Sequence, residues 1–392
     1  MKTIDRFLAL LAMGIIRLYQ WTLSPDRGIF AFFLKGRICT HEPHCSEYGI
    51  KCLKRYGFWH GMPKISDRVL HCIPNMQKIY DPEHYRVVFF SSAPIGVPFL
   101  QALAGDKRFE LVGVVTQEDK PVGRGLKLTP NIIKQSALEL WFPEQDIQTP
   151  LKINPDTSIE GKNFYDWLVE KQPDFLVVIA YGKLMPQRVL DIPPFWAINV
   201  HGSLLPKYRG ASPLQSVFLD DEQQTGVTIM HMNAGMDTGA MIDKLAFKLP
   251  FEWTVKELIV KIQQAWPEFL NDTLREYAKW NLPEQTQKEG LATYCQKISK
   301  QDGEIFPWKD SLTSVYAKYR AYALRPKIWF THHEKKVVIE ELILDELKYQ
   351  ETWFFPLWDQ HFKLNSCIKT IFLKPEGKKA MDFQSFKNGY LK

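Results

Sequence analysis

Between residues 86 and 201 four apolar runs alternate with stretches of other character: Arg86-Val-Val-Phe-Phe90, Glu110-Leu-Val-Gly-Val-Val-Thr116, Asp174-Phe-Leu-Val-Val-Ile-Ala180 and Trp196-Ala-Ile-Asn-Val-His201. Each is short and almost uniformly apolar, the pattern of a strand buried on both faces. The first two are joined by a helical stretch at Val97–Leu103, a strand, helix, strand unit that calls for a parallel sheet. In such a sheet ligands bind at the carboxyl ends of the strands, where Asn199 and His201 fall. The first strand runs into Ser91-Ser92-Ala93-Pro94 and no Gly-x-Gly-x-x-Gly follows, which argues against a dinucleotide cofactor.

The chain is 392 residues long, enough for two or three cores at ~150 residues per domain. Its 25 Phe, 15 Tyr and 12 Trp supply the apolar area that a disordered or solvating chain lacks. Charge is uneven. Residues 1–83 carry 12 Lys and Arg against 7 Asp and Glu, residues 84–290 carry 21 against 25, and residues 291–392 carry 17 against 12. Two basic ends point to a polyanion, nucleic acid or anionic lipid, and the centre to something smaller.

Four of the six cysteines, Cys39, Cys45, Cys52 and Cys72, fall near the amino terminus. Their spacings match no zinc pair, so reduced core thiols are favoured over a structural metal, and no metal is expected. The apolar run Phe7–Ile16 is about half the ~20 residues a membrane-spanning helix needs. Asp5 and the sequence after the run do not suit a secretory signal. On a helix, Ile4, Leu8, Leu11, Ile15 and Leu18 share one face, and core packing is the default expectation for it, with a membrane surface as the alternative.

The order of motifs here resembles the membrane protein insertion efficiency factor family: Arg17-x-Tyr-Gln20 before Ser24-Pro25, then Cys39, Pro43-x-Cys45-Ser46-x-Tyr48, Tyr56-Gly57 with Gly61, and Arg68-x-x-x-Cys72-x-Pro74. The match covers residues 1–82, a small mainly helical basic module. The resemblance implies a cytoplasmic chain, peripheral on the inner membrane, with anionic lipid or insertion machinery as partner.

The densest polar cluster is Asn199-Val-His201-Gly-Ser203-Leu-Leu-Pro206-Lys-Tyr-Arg209-Gly210, followed by Gly235-Met-Asp237-Thr-Gly239. An amide, an imidazole and a carboxylate at strand ends suit acyl transfer to an amine: Asn199 and a protonated His201 stabilise the oxyanion, and Asp237 orients His201 and helps remove a proton. The two segments together resemble the formyltetrahydrofolate-dependent formyltransferases, most closely those that act on methionyl-tRNA. The resemblance implies a Rossmann-like catalytic domain over residues 83–285, with Asn199, His201 and Asp237 as catalytic trio. It places Ser203, Leu204, Leu205 and Pro206 against 10-formyltetrahydrofolate, and Val177, Ile179, Tyr181 and Gly182 along its pterin pocket.

The loop Thr116–Pro130 resembles the insertion that carries tRNA contacts, with Arg124, Lys127 and Lys120 facing the acceptor end, and Arg209 is assigned with them. Residues 286–392, opening at Ala292–Lys300 and closing at Leu373–Met381, resemble the small OB-like barrel of the same enzymes. Lys336-Val-Val-Ile-Glu and Lys369-Thr-Ile-Phe-Leu alternate as strands, and Arg325, Lys327, Trp329, Lys335 and Lys336 offer a grip on RNA. Initiator methionyl-tRNA is the expected partner and a monomer the expected state. Two other readings remain: a formyltransferase for another amine such as a nucleotide amino-sugar, or an inactive membrane adaptor. Met76 offers an alternative start just before the enzyme. Ser91 stands where the family has glycine, and a restricted turn and altered pocket are expected from it.

Overall fold

The computed structural model describes residues 2–24, 45–70, 85–122, 127–279, 281–352, 356–359 and 363–390. The chain divides into two compact units, Met1–Arg86 and Val87–Lys392.

In the first unit α1 (Lys2–Trp21) packs on α2 (Cys45–Leu70). Ala9 is buried on α1, Asp5, Leu8, Ala12, Met13, Ile16 and Gln20 are half-buried, and Gln20 Nε2 donates to Ser46 Oγ at 3.1 Å. Gly57 breaks α2 at φ 72, and the Asp5 carboxylate closes the break by accepting from Phe58 N at 2.8 Å and Trp59 N at 3.0 Å. One side chain thus caps the amino end of the second half of α2. The face predicted for core packing is turned outward: Ile4, Leu11, Ile15 and Leu18 are each more than half exposed, as is Phe7, and only Leu8 is half-buried. The opposite stripe carries Ala9 and Ala12, and on it Ile16 reaches Gly49 of α2, where an added Cβ would lie 3.1 Å from its Cδ1. Cys39 and Cys72 lie outside the described residues, whereas Cys52 is buried.

The second unit opens with β1 (Tyr85–Ser91), α3 (Val97–Gly105), β2 (Phe109–Val115), β3 (Lys120–Val122), β4 (Lys127–Thr129), α4 (Ile132–Glu139), β5 (Ile147–Gln148) and α5 (Ile159–Glu170). It continues through β6 (Phe175–Ile179), α6 (Gln187–Leu190), β7 (Ala197–His201), β8 (Arg209–Gly210), α7 (Pro213–Leu219), β9 (Gln224–His231), β10 (Met241–Lys248) and α8 (Val255–Ala278). The main sheet has the order β10-β9-β7-β6-β1-β2-β5, with β1, β6 and β7 mutually parallel and β9 antiparallel to β7 and β10. All five residues of β6 are buried, as expected of a central strand covered on both faces. Phe164 and Leu168 of α5 cover one face against Val88, Phe90, Leu176 and Val178. Helix α8 starts at a capping box, with Thr254 Oγ1 accepting from Lys256 N at 3.2 Å and Thr254 N donating to Glu257 Oε2 at 2.8 Å.

The carboxyl-terminal part holds β11 (Tyr294–Cys295), α9 (Leu312–Ala321), β12 (Trp329–His332), β13 (Lys335–Leu344), α10 (Glu346–Thr352), β14 (Ile368–Pro375), β15 (Met381–Asp382) and α11 (Phe383–Tyr390). Strands β12-β13-β14-β15 form an antiparallel sheet, and the two alternating runs of the sequence are its central neighbours β13 and β14. Its core gathers Phe330, Trp358, Phe383 and Phe386.

Candidate active site

Strand β7 lies between β6 and β9, and its last residues bring Asn199 and His201 to the carboxyl end of the sheet on one side of the strand. Asp237 stands in the turn between β9 and β10 at φ 54, and faces both. Asn199 Nδ2 is 3.4 Å from Asp237 Oδ1, and His201 Nδ1 is 3.6 Å from Asp237 Oδ2. The same Oδ2 accepts the backbone N–H of Gly210 at 2.8 Å. His201 Nε2 donates to the Tyr208 carbonyl at 2.8 Å. That bond assigns the ring proton to Nε2 and leaves the Nδ1 lone pair toward Asp237.

The imidazole is 5% exposed. Burial pushes its pKa below the ordinary 6.5, against the pull of the Asp237 carboxylate and the Tyr208 carbonyl, so the ring rests neutral. Burial thus works against the protonated His201 expected from the sequence, while Asp237 works for it.

The segment after β7 is pinned from the neighbouring strand. Thr228 Oγ1 donates to the Ser203 carbonyl at 2.7 Å and accepts Leu205 N at 3.1 Å, while Ser203 Oγ donates to the Lys207 carbonyl at 2.6 Å. Leu205 is buried, its peptide to Pro206 is cis, and Leu204 leans over Gly226 so closely that a Cβ there would meet it at 2.6 Å.

Of the residues assigned to the pterin pocket, Val177 and Ile179 are sealed within β6, and Tyr181 is buried with its ring against Phe90. The open surface at this strand end belongs to Ala180 and Gly182, both at positive φ, with Gln117 Nε2 donating to the Tyr181 carbonyl at 2.8 Å. Among the described residues the Tyr181 hydroxyl has no hydrogen-bond partner. Ser91 corrects the expectation of a restricted turn: it is the last residue of β1, outside the positive-φ positions, so nothing in its backbone calls for glycine.

The residues assigned to tRNA separate. Arg124 lies outside the described residues, and β3 and β4 form a two-stranded hairpin that carries Lys120, exposed, on one strand and Lys127 on the other. Arg209 belongs elsewhere, because its side chain is 0% exposed. Its guanidinium is held by Glu289, Nη1 at 2.8 Å from Oε1, and its Nε donates to Gln287 Oε1 at 3.0 Å. A group so enclosed cannot meet an external phosphate. In the carboxyl-terminal part Arg325, Lys335 and Lys336 are exposed, Lys336 Nζ lies 4.1 Å from the Trp329 ring centroid, and Lys327 is paired with Glu340. Among the described residues no group of three or more His, Cys, Asp and Glu side chains is placed to hold a metal ion.

The sequence reading missed Gln287 and Thr293, which touch the site from 48 or more residues away in the chain. No motif marks them.

A sheet that delivers an amide, an imidazole and a carboxylate to one point has the groups that acyl transfer uses. The chain belongs to the formyl transferase family: residues 85–274 match the formyl transferase family model and residues 297–391 that of its carboxyl-terminal domain. It resembles the methionyl-tRNA formyltransferase of Caldicellulosiruptor saccharolyticus, 33% identical over 78% of this chain and 96% of the relative. The methionyl-tRNA formyltransferase of Clostridioides difficile is 36% identical over 67% of this chain and 81% of the relative. A solved N-formyltransferase from Helicobacter canadensis, in complex with folinic acid and dTDP-3-aminofucose, shares the fold at 15% identity with a TM-score of 0.51, covering 76% of this chain and 98% of that one. Residues 8–84 match the membrane protein insertion efficiency factor family. The protein is therefore a formyltransferase carrying an amino-terminal region of a membrane-associated family.

Proposed function

We propose that this chain moves the formyl group of 10-formyltetrahydrofolate to the α-amino group of initiator methionyl-tRNA, and that residues 1–82 attach it to the cytoplasmic face of a membrane. The observation that carries the reading is the convergence of Asn199, His201 and Asp237 within 3.4 to 3.6 Å at the end of β7. The folate is expected over the open backbone of Ala180 to Gly182, where a flat ring needs no side chain to move aside, with Ser203 to Pro206 beneath it.

The amine nitrogen bonds to the formyl carbon, and the carbonyl oxygen takes up the charge. Asn199 Nδ2 donates to that oxyanion. The amine proton passes through Asp237 to His201 Nδ1, which is free to take it because the ring rests neutral. The imidazolium then returns the proton toward the departing folate nitrogen as the bond from carbon to that nitrogen breaks. The products are the formamide of the aminoacyl end and tetrahydrofolate. Exposed Lys120, with Arg124 and Lys127 on the same loop, and the basic carboxyl-terminal sheet would hold the RNA by its phosphates.

The outward apolar face of α1 supports the membrane half of the reading. Among the described residues no helix is long and apolar enough to cross a membrane. The test is formylation by the purified full-length chain, with 10-formyltetrahydrofolate as donor and methionyl-tRNA, uncharged tRNA and a nucleotide amino-sugar as competing acceptors. Formyl-methionyl-tRNA is the expected sole product, and transfer to the sugar instead would overturn the acceptor.

A further inference from the structure

The two formyl transferase matches leave residues 275–296 between them. Part of this stretch crosses the catalytic centre. Gln285 exchanges backbone hydrogen bonds with Met241, at 2.8 and 2.9 Å. Two residues on, the Gln287 side chain is buried, and its Nε2 donates to the carbonyls of Asp237 and Gly239, each at 2.8 Å. Its oxygen accepts from Arg209 Nε at 3.0 Å. An arginine only donates and a carbonyl only accepts, so a single orientation of this amide satisfies all three partners. Further along, Thr293 Oγ1 accepts Tyr208 N at 2.8 Å, and the Thr293 carbonyl accepts Arg209 N at 2.8 Å. Strand β11 then pairs with β8, Tyr294 beside Arg209 and Cys295 beside Gly210.

Every catalytic contact described above is therefore fixed from this segment at one remove. Gln287 holds the main chain at Asp237, a non-glycine residue at positive φ that needs outside support. Thr293 holds Tyr208, also at positive φ, whose carbonyl orients the His201 ring. Pairing of β8 with β11 places the Gly210 N–H that receives Asp237.

We propose that the segment from Gln285 to Cys295 is a positioning strap for the catalytic trio, with Gln287 acting through Asp237 and Thr293 acting through Tyr208 on His201, so that the link to the RNA-binding part is also the scaffold of the active site. The strap rests on the formyl transfer reading for its role in turnover, though not for its effect on the imidazole.

Three substitutions in the full-length protein test it. Gln287→Glu keeps the shape but removes both donors. Thr293→Val removes the acceptor, and Thr293→Ser restores it. The expected result is a kcat lowered about 10- to 100-fold in Gln287→Glu and Thr293→Val, since small misplacements of reacting groups cost on this scale. KM for donor and tRNA stays within about twofold, and Thr293→Ser recovers kcat. Independently of any acceptor, nitrogen NMR of labelled histidine in the wild type should show His201 as the Nε2–H tautomer, and as a tautomer mixture in Thr293→Val. Unchanged kcat and unchanged tautomer in Thr293→Val overturn the strap, as does a rise in KM for tRNA with kcat intact. If methionyl-tRNA is not the acceptor, the tautomer measurement still decides the strap, so the two failures are separable. Should Gln287→Glu not fold, the threonine pair carries the test alone.

Discussion

The Ser91 hydroxyl occupies the space that a side chain on Gly96 would need: a Cβ at Gly96 would lie 2.1 Å from Ser91 Oγ. The serine at the end of β1 is accommodated by the missing side chain at Gly96, and its hydroxyl is buried without a hydrogen-bond partner among the described residues.

Gly96→Ala alone should therefore destabilise the protein by about 1–3 kcal/mol through overpacking. Ser91→Gly combined with Gly96→Ala should recover most of that loss, because Gly96 sits at φ −77, a conformation alanine adopts freely. Denaturant melts of the two single variants and the double variant give the coupling directly. Additive effects would show that Ser91 and Gly96 do not share this space.

On the proposed mechanism Asn199 is the oxyanion donor, so replacing it with alanine should lower kcat about 100- to 1000-fold with little change in donor affinity. Single-turnover transfer, with folate binding measured alongside, separates the two. Near-normal turnover would remove Asn199 from the mechanism.

His201 also sets a pH dependence of stability. Its folded pKa lies below the unfolded 6.5. Above 6.5 both states are neutral at this ring and it contributes no slope. As pH falls through 6.5 the unfolded ring takes a proton and the folded one resists, so stability drops, by up to about 1.4 kcal/mol per pH unit, until the folded ring titrates. His201→Gln should flatten the thermal midpoint against pH just below 6.5. An unaltered acid limb would mean that the drop comes from other groups.

Arg209 and Lys120 should behave oppositely. Arg209→Met leaves the buried Gln287 oxygen without its donor and should cost about 1–3 kcal/mol of stability, leaving the salt dependence of tRNA binding intact. Lys120→Ala should leave stability alone and reduce the slope of log affinity against log salt by roughly one contact. A shallower slope in Arg209→Met would return it to the RNA surface.

For the first unit, Leu11→Asp with Ile15→Asp places two carboxylates on the exposed face of α1. Sedimentation with vesicles of anionic phospholipid should fall at least about tenfold, since each change removes apolar area and adds repulsion from the surface. Formyl transfer should be unaffected. Retained sedimentation would move the membrane contact off α1.

The sheet was legible because buried strands announce themselves as apolar runs, and alternation along one of them puts Asn199 and His201 on one side. The nearness of Asp237 to both came from the family motif and not from any local pattern. Arg209 was misread because it adjoins the catalytic segment, whereas Glu289 and Gln287, which enclose it, lie at least 78 residues on. Gln287 left no trace in the sequence, since a glutamine that donates to two main-chain carbonyls looks like any surface glutamine. The apolar stripe of α1 was visible. Its direction was not, because periodicity identifies a face without saying which neighbour it meets.

The boundary between the units falls at Arg86, one residue into β1, and β1 lies inside the sheet between β6 and β2. A load applied at the amino end of β1 along its own axis therefore acts on an interior strand. Hydrogen bonds on both flanks bear that load together in shear, whereas an edge strand pulled sideways would open one bond at a time. Loaded in that direction, the first strand of the catalytic sheet is held from both sides rather than peeled from an edge.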